Sequence, residues 1–65
     1  MRSYEVCFKT MGMENPETVF VTGDFLDTVS EYEPRSYKFK AYDDEGIEYE
    51  TAVVHDVIWI KVVTY

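Results

Sequence analysis

Apolar and polar side chains alternate with a period of two through most of the last thirty residues, and this pattern constrains the fold most strongly. Residues 37–42 alternate, and residues 47–51 alternate again after the acidic segment 43–46. Such alternation on both sides of a glycine-containing turn predicts a β-hairpin. A third run, residues 57–63, is almost wholly apolar. The end of the chain is therefore predicted to form three consecutive β-strands.

The acidic turn also predicts the register of this hairpin. A three-residue loop, residues 44–46, would place Gly46 in the left-handed conformation that such loops require. The predicted pairs are Asp43 with Ile47, Ala41 with Tyr49 and Phe39 with Thr51, and on the opposite face Lys40 with Glu50 and Tyr42 with Glu48. A shift of one residue would move every side chain to the wrong face, so the register is well specified.

The first half of the chain predicts two further strands, with one ambiguous segment after them. Residues 4–10 and a segment beginning near Glu17 have strand character, with a loop at residues 11–16 between them. Residues 24–33 could form a short helix capped by Asp24, which would make the fold α+β. The alternative is a strand that continues the second one through a bend at Gly23, and we favour it because Asp, Thr and Ser are weak helix formers.

The last strand completes a prediction of the whole architecture. Ile58, Ile60 and Val62 are expected in the core, whereas Trp59, on the other face, is either packed under a loop or partly exposed. A chain of 65 residues has room for one domain, residues 1–65. We therefore predict an all-β fold, a five-stranded antiparallel meander.

The charge balance narrows the classes of partner. Thirteen acidic residues against six basic ones give a net charge of −7. Direct nucleic-acid binding needs Lys and Arg to neutralise phosphates, and an anionic membrane surface would repel this chain. A basic protein partner is favoured, and the alternative is that the charge merely keeps a small domain soluble.

Cysteine and hydropathy patterns indicate a compartment. Cys7 is the only cysteine, so no disulfide can form within the chain, which fits a reducing environment. No apolar stretch approaches the roughly 20 residues of a membrane helix. The strand pattern begins at the N-terminus and leaves no room for a signal peptide. We expect a cytoplasmic protein.

The order of elements resembles a known architecture. The segments that carry the resemblance are residues 21–25, with Gly23 at the bend, residues 37–46, and residues 54–60. Together they look like a small SH3-like or Sm-like β-barrel. The short, acidic, single-barrel format is also similar to accessory proteins of bacteriophages and mobile elements. That resemblance implies a protein that binds and blocks a host factor. Sm-like RNA binders carry basic and polar residues where this chain has acids, which argues against RNA binding.

Residues that could support catalysis are few. His55, the only histidine, lies beside Asp56, but no nucleophile is near it in sequence, so a histidine bonded to its turn is the simpler interpretation. Cys7 and His55 supply two ligands, too few for a zinc site. The acids of the 43–46 turn lack the longer loop of a calcium site. We predict a non-enzymatic protein with no catalytic residues, no metal and no cofactor.

Acidic and aromatic residues suggest a binding surface instead. The predicted partner-binding residues are Tyr42, Asp43, Asp44, Glu45, Glu48, Glu50 and Trp59, with Tyr32 and Tyr65 as further aromatic candidates. A second base-free acidic stretch comprises Glu14, Glu17, Asp24, Asp27, Glu31 and Glu33, and the two stretches would form one negative surface if the fold joined them.

The first functional hypothesis is an inhibitor that engages a basic, nucleic-acid-handling host protein through this surface. One alternative is a self-associating structural module, for example a homodimer formed through Trp59 and the strand edge at residues 62–65. The other is a barrel that sequesters a small ligand.

Overall fold

Six β-strands form two three-stranded antiparallel sheets in the computed structural model, which describes residues 1–63. The strands are β1 (Arg2–Phe8), β2 (Glu17–Gly23), β3 (Phe25–Ser30), β4 (Glu33–Tyr42), β5 (Glu48–Val54) and β6 (Val57–Val63). Sheet A has the order β2-β1-β6, and sheet B has the order β3-β4-β5. The all-β prediction is confirmed, and the helix alternative for residues 24–33 is wrong, since β3 occupies most of that segment. Within residues 1–63, no helix could span a membrane.

The chain passes from sheet A to sheet B at a corner made by Gly23 and Asp24. The Asp24 amide donates a hydrogen bond to the Lys40 carbonyl oxygen at 2.7 Å. A Cβ atom at position 23 would lie 3.0 Å from that same oxygen, so only glycine fits without displacing the backbone of β4. The predicted long strand is divided here into β2 and β3. The structure therefore has six strands rather than five, and the two sheets do not close into a barrel.

A small core lies between the sheets. Five buried side chains form it: Tyr4, Val6, Val21, Phe39 and Val57. The rings of Tyr4 and Phe39, from the central strands of the two sheets, are tilted with centroids 5.2 Å apart. Val21 and Val57 add to this core from the edge strands β2 and β6, so central and edge strands both hold the sheets together.

The β4–β5 register agrees with most of the predicted pairs. Lys40 lies opposite Glu50, Ala41 opposite Tyr49 and Tyr42 opposite Glu48, as predicted. The pairing of Phe39 with Thr51 is wrong, because the register shifts between Phe39 and Lys40 and places Ala52 opposite Phe39. The Thr51 hydroxyl instead donates to the Thr22 carbonyl oxygen at 2.6 Å. The irregularity thereby provides a hydrogen bond between the two sheets.

Strand β6 differs more from expectation. Ile60 is partly buried, but Ile58 and Val62 are 52% and 47% exposed, so their prediction as core residues is wrong. Two causes act together. The β1–β6 register shifts between Cys7 and Phe8, which places Val57 opposite Phe8 and buries it. In addition, β6 is the edge of sheet A, and sheet B leaves its inner face partly uncovered.

Candidate protein-binding surface

The turn between β4 and β5 is fixed by one carboxylate. Asp43 Oδ1 accepts hydrogen bonds from the amides of Glu45 at 2.8 Å and Ile47 at 2.9 Å. The Asp43 backbone bonds the same segment, with its carbonyl accepting from Gly46 and its amide donating to Ile47. Gly46 has a φ of 79°, the left-handed conformation predicted for it. Asp43 therefore supports the turn, and we call residues 42–50 the acidic hairpin.

Three carboxylates of the acidic hairpin are exposed, and one of them, Glu50, lies opposite a base, Lys40. Within the described part of the chain, Asp44, Glu45 and Glu50 form no side-chain hydrogen bond or ion pair. Glu48 differs, because its Oε1 lies 2.6 Å from Lys40 Nζ. That hydrogen bond raises the pKa of Lys40 above its ordinary value of 10.5. The net charge of the hairpin thus comes from three carboxylates, together with Asp43, whose oxygen is already bonded to the turn.

Apolar and aromatic side chains lie among these acids. Tyr42, Ile47 and Tyr49 are 52%, 58% and 44% exposed. The ring of Tyr42 is supported from β3 by Phe25, with centroids 5.5 Å apart. Aromatic groups held in place beside charges are typical anchors of protein interfaces, because they bury a large area at a small entropic cost.

Asp24 joins the base of the acidic hairpin to the corner between the sheets. Its Oδ2 accepts a hydrogen bond from the Tyr42 amide at 2.9 Å, and its Oδ1 lies 3.3 Å from the N-terminal amine of Met1. The Tyr42 bond, more than the amine, lowers the pKa of Asp24 below its ordinary value of 3.8. Asp24 belonged to the second predicted acidic stretch, but the structure gives it a positioning role.

Four of the five remaining acids of that second stretch are not joined to the acidic hairpin. Strand β4 begins at Glu33 and ends at Tyr42, so Glu31 and Glu33 lie about 30 Å from the turn. Glu14 and Glu17 flank the start of β2, at the end of sheet A where the Lys9 amide bonds the Asp56 carbonyl. Asp27, the fifth, lies in β3 opposite Lys38, close enough for its charge to act on Lys40 together with those of Glu48 and Glu50. The condition for one continuous negative surface is therefore not met.

The predicted site residues divide into one group and one outlier. Tyr42, Asp43, Asp44, Glu45, Glu48 and Glu50 all lie in the acidic hairpin. Trp59 lies in β6, in the other sheet, and is 42% exposed, which matches the second of its predicted environments. Tyr32 is exposed in the β3–β4 turn at the far end, and Tyr65 lies outside the described residues.

One polar pair was not anticipated from the sequence. Ser36, which is buried, lies with its Oγ 3.0 Å from His55 Nδ1, at the floor of a cleft of about 450 Å³. The two residues are 19 positions apart in different strand contexts, so no local signal links them. The contact satisfies a buried hydroxyl, as buried polar groups require. Within residues 1–63, His55 forms no hydrogen bond or ion pair with a carboxylate.

Two apolar grooves lie along opposite open edges of the sandwich. One, of about 380 Å³, lies between β2 and β5 and is lined by residues such as Val19, Val21 and Val53. The other, of about 470 Å³, lies along β6 and includes Leu26, Tyr37 and Ile58 to Ile60. Both are open to solvent rather than enclosed, and the small-ligand hypothesis stays a prediction.

The comparisons with known proteins leave the site to be judged on its geometry. No family model matches the chain, and no curated protein or solved structure gives a significant match. In residues 1–63, no group of three or more His, Cys, Asp or Glu side chains could hold a metal ion. What the structure offers is an acidic hairpin with a hydrogen-bonded turn and exposed aromatic side chains.

Proposed function

We propose that this chain is a non-enzymatic binding protein that engages a basic protein through the acidic hairpin. The observation that supports this most directly is the combination of a turn held by Asp43 with three exposed carboxylates that form no ion pair within residues 1–63: Asp44, Glu45 and Glu50. Carboxylates on a fixed turn present charge to a cationic surface without first having to be ordered, which lowers the entropic cost of binding. Tyr42 and Ile47 supply the apolar contact area beside them.

The partner class follows from charge. Proteins that handle nucleic acid carry Lys and Arg arranged to neutralise phosphates. A fixed cluster of carboxylates can occupy such a site and exclude the nucleic acid, so we propose that the chain inhibits a nucleic-acid-handling host protein. The SH3-like or Sm-like architecture, and an origin among accessory proteins of bacteriophages or mobile elements, belong to the same proposal. Only Asp24 separates β2 from β3, so the two strands follow one another as the halves of one bent strand. This arrangement supports the proposed SH3-like or Sm-like architecture.

A charge-matched pair of variants tests the surface. The first carries Asp44→Asn, Glu45→Gln and Glu50→Gln, and leaves Asp43 to hold the turn. The control carries Glu14→Gln, Glu31→Gln and Glu33→Gln at the far end, so both lose three negative charges. The tagged wild-type chain captures proteins from a bacterial lysate, bound proteins are eluted with a salt gradient, and mass spectrometry identifies them.

The expected result is a basic partner that elutes at moderate salt and binds the hairpin variant at least about tenfold more weakly than the control. The purified partner should also lose its DNA or RNA when the wild-type chain is added. If the two variants weaken binding equally, the acidic hairpin is not the binding surface. If the partner binds nucleic acid and this chain simultaneously, the inhibitor hypothesis is wrong.

A further inference from the structure

Strand β6 presents a free edge that suits pairing with another strand. It is the last strand of sheet A, so its backbone groups on the side away from β1 have no strand partner among residues 1–63. It is seven residues long, contains no proline and carries a single charge, Lys61. Natural edge strands are usually protected by several charges, prolines or a covering element. This edge has little such protection.

Charge distinguishes β6 from the other three edge strands. β2 carries Glu17, β3 carries Asp27, and β5 carries Glu48 and Glu50. A second copy that paired centrally at β3 or β5 would bring acids of a chain with net charge −7 near one another. At β2 the repulsion would be smaller, because Glu17 lies at the end of the strand. β6 has no acid, and the groove along it is lined by one charged side chain, Arg35, and no acid. Self-pairing at β6 thus avoids the repulsion expected at β3 and β5, and β6 is the one edge strand of residues 1–63 that carries no acid.

The exposed area is adequate for a weak dimer. Ile58, Trp59 and Val62 are 52%, 42% and 47% exposed. If a fully exposed large apolar residue presents roughly 200 Å², these three leave roughly 300 Å² per copy, or roughly 600 Å² for two copies. Groove residues and the paired backbones add to this sum, which brings it toward the roughly 1,200 Å² at the lower end of specific interfaces.

From these observations we infer that two copies of the chain form a homodimer by antiparallel pairing of β6 with β6, centred on Ile60. A two-fold axis at Ile60, the middle residue of Val57–Val63, pairs all seven residues of the strand. It places Ile58 opposite the second copy's Val62, and Lys61 opposite the second copy's Trp59, where a cation can lie against an indole face. An axis at Lys61 would instead oppose two ammonium groups. The resulting dimer has one continuous six-stranded sheet. Dimerisation in this way does not depend on the proposed function.

A charge-swap series tests this register. Ile58→Glu and Val62→Lys each place one charge against an apolar residue, and each should weaken the dimer at least about tenfold. The double variant places each new carboxylate opposite a new ammonium only if the axis lies at Ile60, and it should recover dimerisation. Phe20→Glu is the control, because Phe20 is 68% exposed on β2, at the other edge of the same sheet. The readout is the concentration dependence of the sedimentation coefficient, with circular dichroism to verify folding.

The wild-type chain provides a second measurement that needs no variant. Hydrogen exchange at about 10 μM and about 1 mM should show amides of residues 57–63 becoming slower at the higher concentration, whereas edge amides of β2 stay unchanged. A wild-type chain that remains monomeric at about 1 mM overturns the inference. So does a dimer that Phe20→Glu disrupts as strongly as Ile58→Glu, and so does a folded double variant that fails to recover dimerisation.

Discussion

The acidic hairpin and strand β6 both expose aromatic and aliphatic side chains, but their charges differ. The hairpin places Tyr42, Ile47 and Tyr49 among five acids, whereas β6 carries Lys61 and no acid. We therefore expect similar apolar exposure to serve different partners. The hairpin would repel a second copy and attract a cationic surface, and β6 can accept a second copy. Local charge, more than the apolar area, is then expected to decide what each surface binds.

The substitution with the largest expected effect on stability tests whether the acidic hairpin and β6 depend on the same core. Phe39 is fully buried between the sheets, so Phe39→Ala should cost about 3–5 kcal/mol. A 65-residue chain has a total stability of roughly 3–10 kcal/mol. Urea denaturation followed by circular dichroism should show a large loss of stability, with partner binding and dimerisation lost together. Survival of either interaction in an unfolded variant would show that the surfaces are independent of this core.

The second largest effect is expected from a substitution that should disturb the acidic hairpin but not β6. Gly46→Ala forces a Cβ into a φ of 79°, which should cost about 1–2 kcal/mol and distort the acidic turn. Gly12→Ala is the matched control, since Gly12 has a φ of 98° in the β1–β2 loop. Both variants should lose similar stability in urea, but only Gly46→Ala should weaken partner capture. A dimer weakened by Gly46→Ala would contradict the separation of the two surfaces.

A smaller effect on binding is expected from substitutions that change the charge of the acidic hairpin or of β6. Lys40→Gln removes the ammonium that is bonded to Glu48, so the hairpin gains one net negative charge. Binding to a basic partner should tighten a few-fold at low salt and depend more steeply on salt concentration. Lys61→Gln on β6 should leave partner binding unchanged and weaken only the dimer. Equal effects of the two substitutions on partner binding would remove the distinction between the surfaces.

The smallest effect concerns pH and the anchor of the hairpin. The folded-state pKa of Asp24 lies below its ordinary 3.8, because the Tyr42 amide bonds its carboxylate. The bonded carboxylate therefore stabilises the fold above pH 3.8, and this contribution is lost as the pH falls through the lowered value.

Asp24→Ala should accordingly lower the urea midpoint at neutral pH, and the difference from wild type should shrink near pH 2. Asp44→Ala serves as the control, because Asp44 has no bonding partner in residues 1–63. An Asp24→Ala difference that stays constant from neutral pH to about pH 2 would show that the charge of Asp24 is irrelevant to stability.

Local patterns were sufficient to predict an all-β fold and the acidic hairpin, but not the division of one predicted strand into β2 and β3. Alternation located β4 and β5, and the need for a left-handed residue located Gly46, so three cross-strand pairs, including Lys40 with Glu50, were predicted correctly. These features depend on residues close in sequence. The six predicted site residues in the hairpin lie together for the same reason, whereas the binding role assigned to them stays a prediction.

Features that depend on irregularities or distant contacts were missed. Register shifts beside Phe39 and Phe8 leave no mark in a two-residue period, so the Thr51 pairing and the exposure of Ile58 were not foreseen. The Ser36 contact with His55 and the separation of the acidic stretches depend on how the sheets stack. Alternation can identify which face of β6 points inward, but it cannot show whether the opposing sheet is wide enough to cover that face.

Trp59 is an intrinsic fluorescence probe of the free edge of β6. It is the only tryptophan of the chain, it lies in β6, and it is 42% exposed, so the indole fluorescence reports on this strand alone. Covering the edge should move the emission maximum to shorter wavelengths and protect it from quenching by iodide. Occupation of the acidic hairpin, which lies in the other sheet, should leave both signals unchanged.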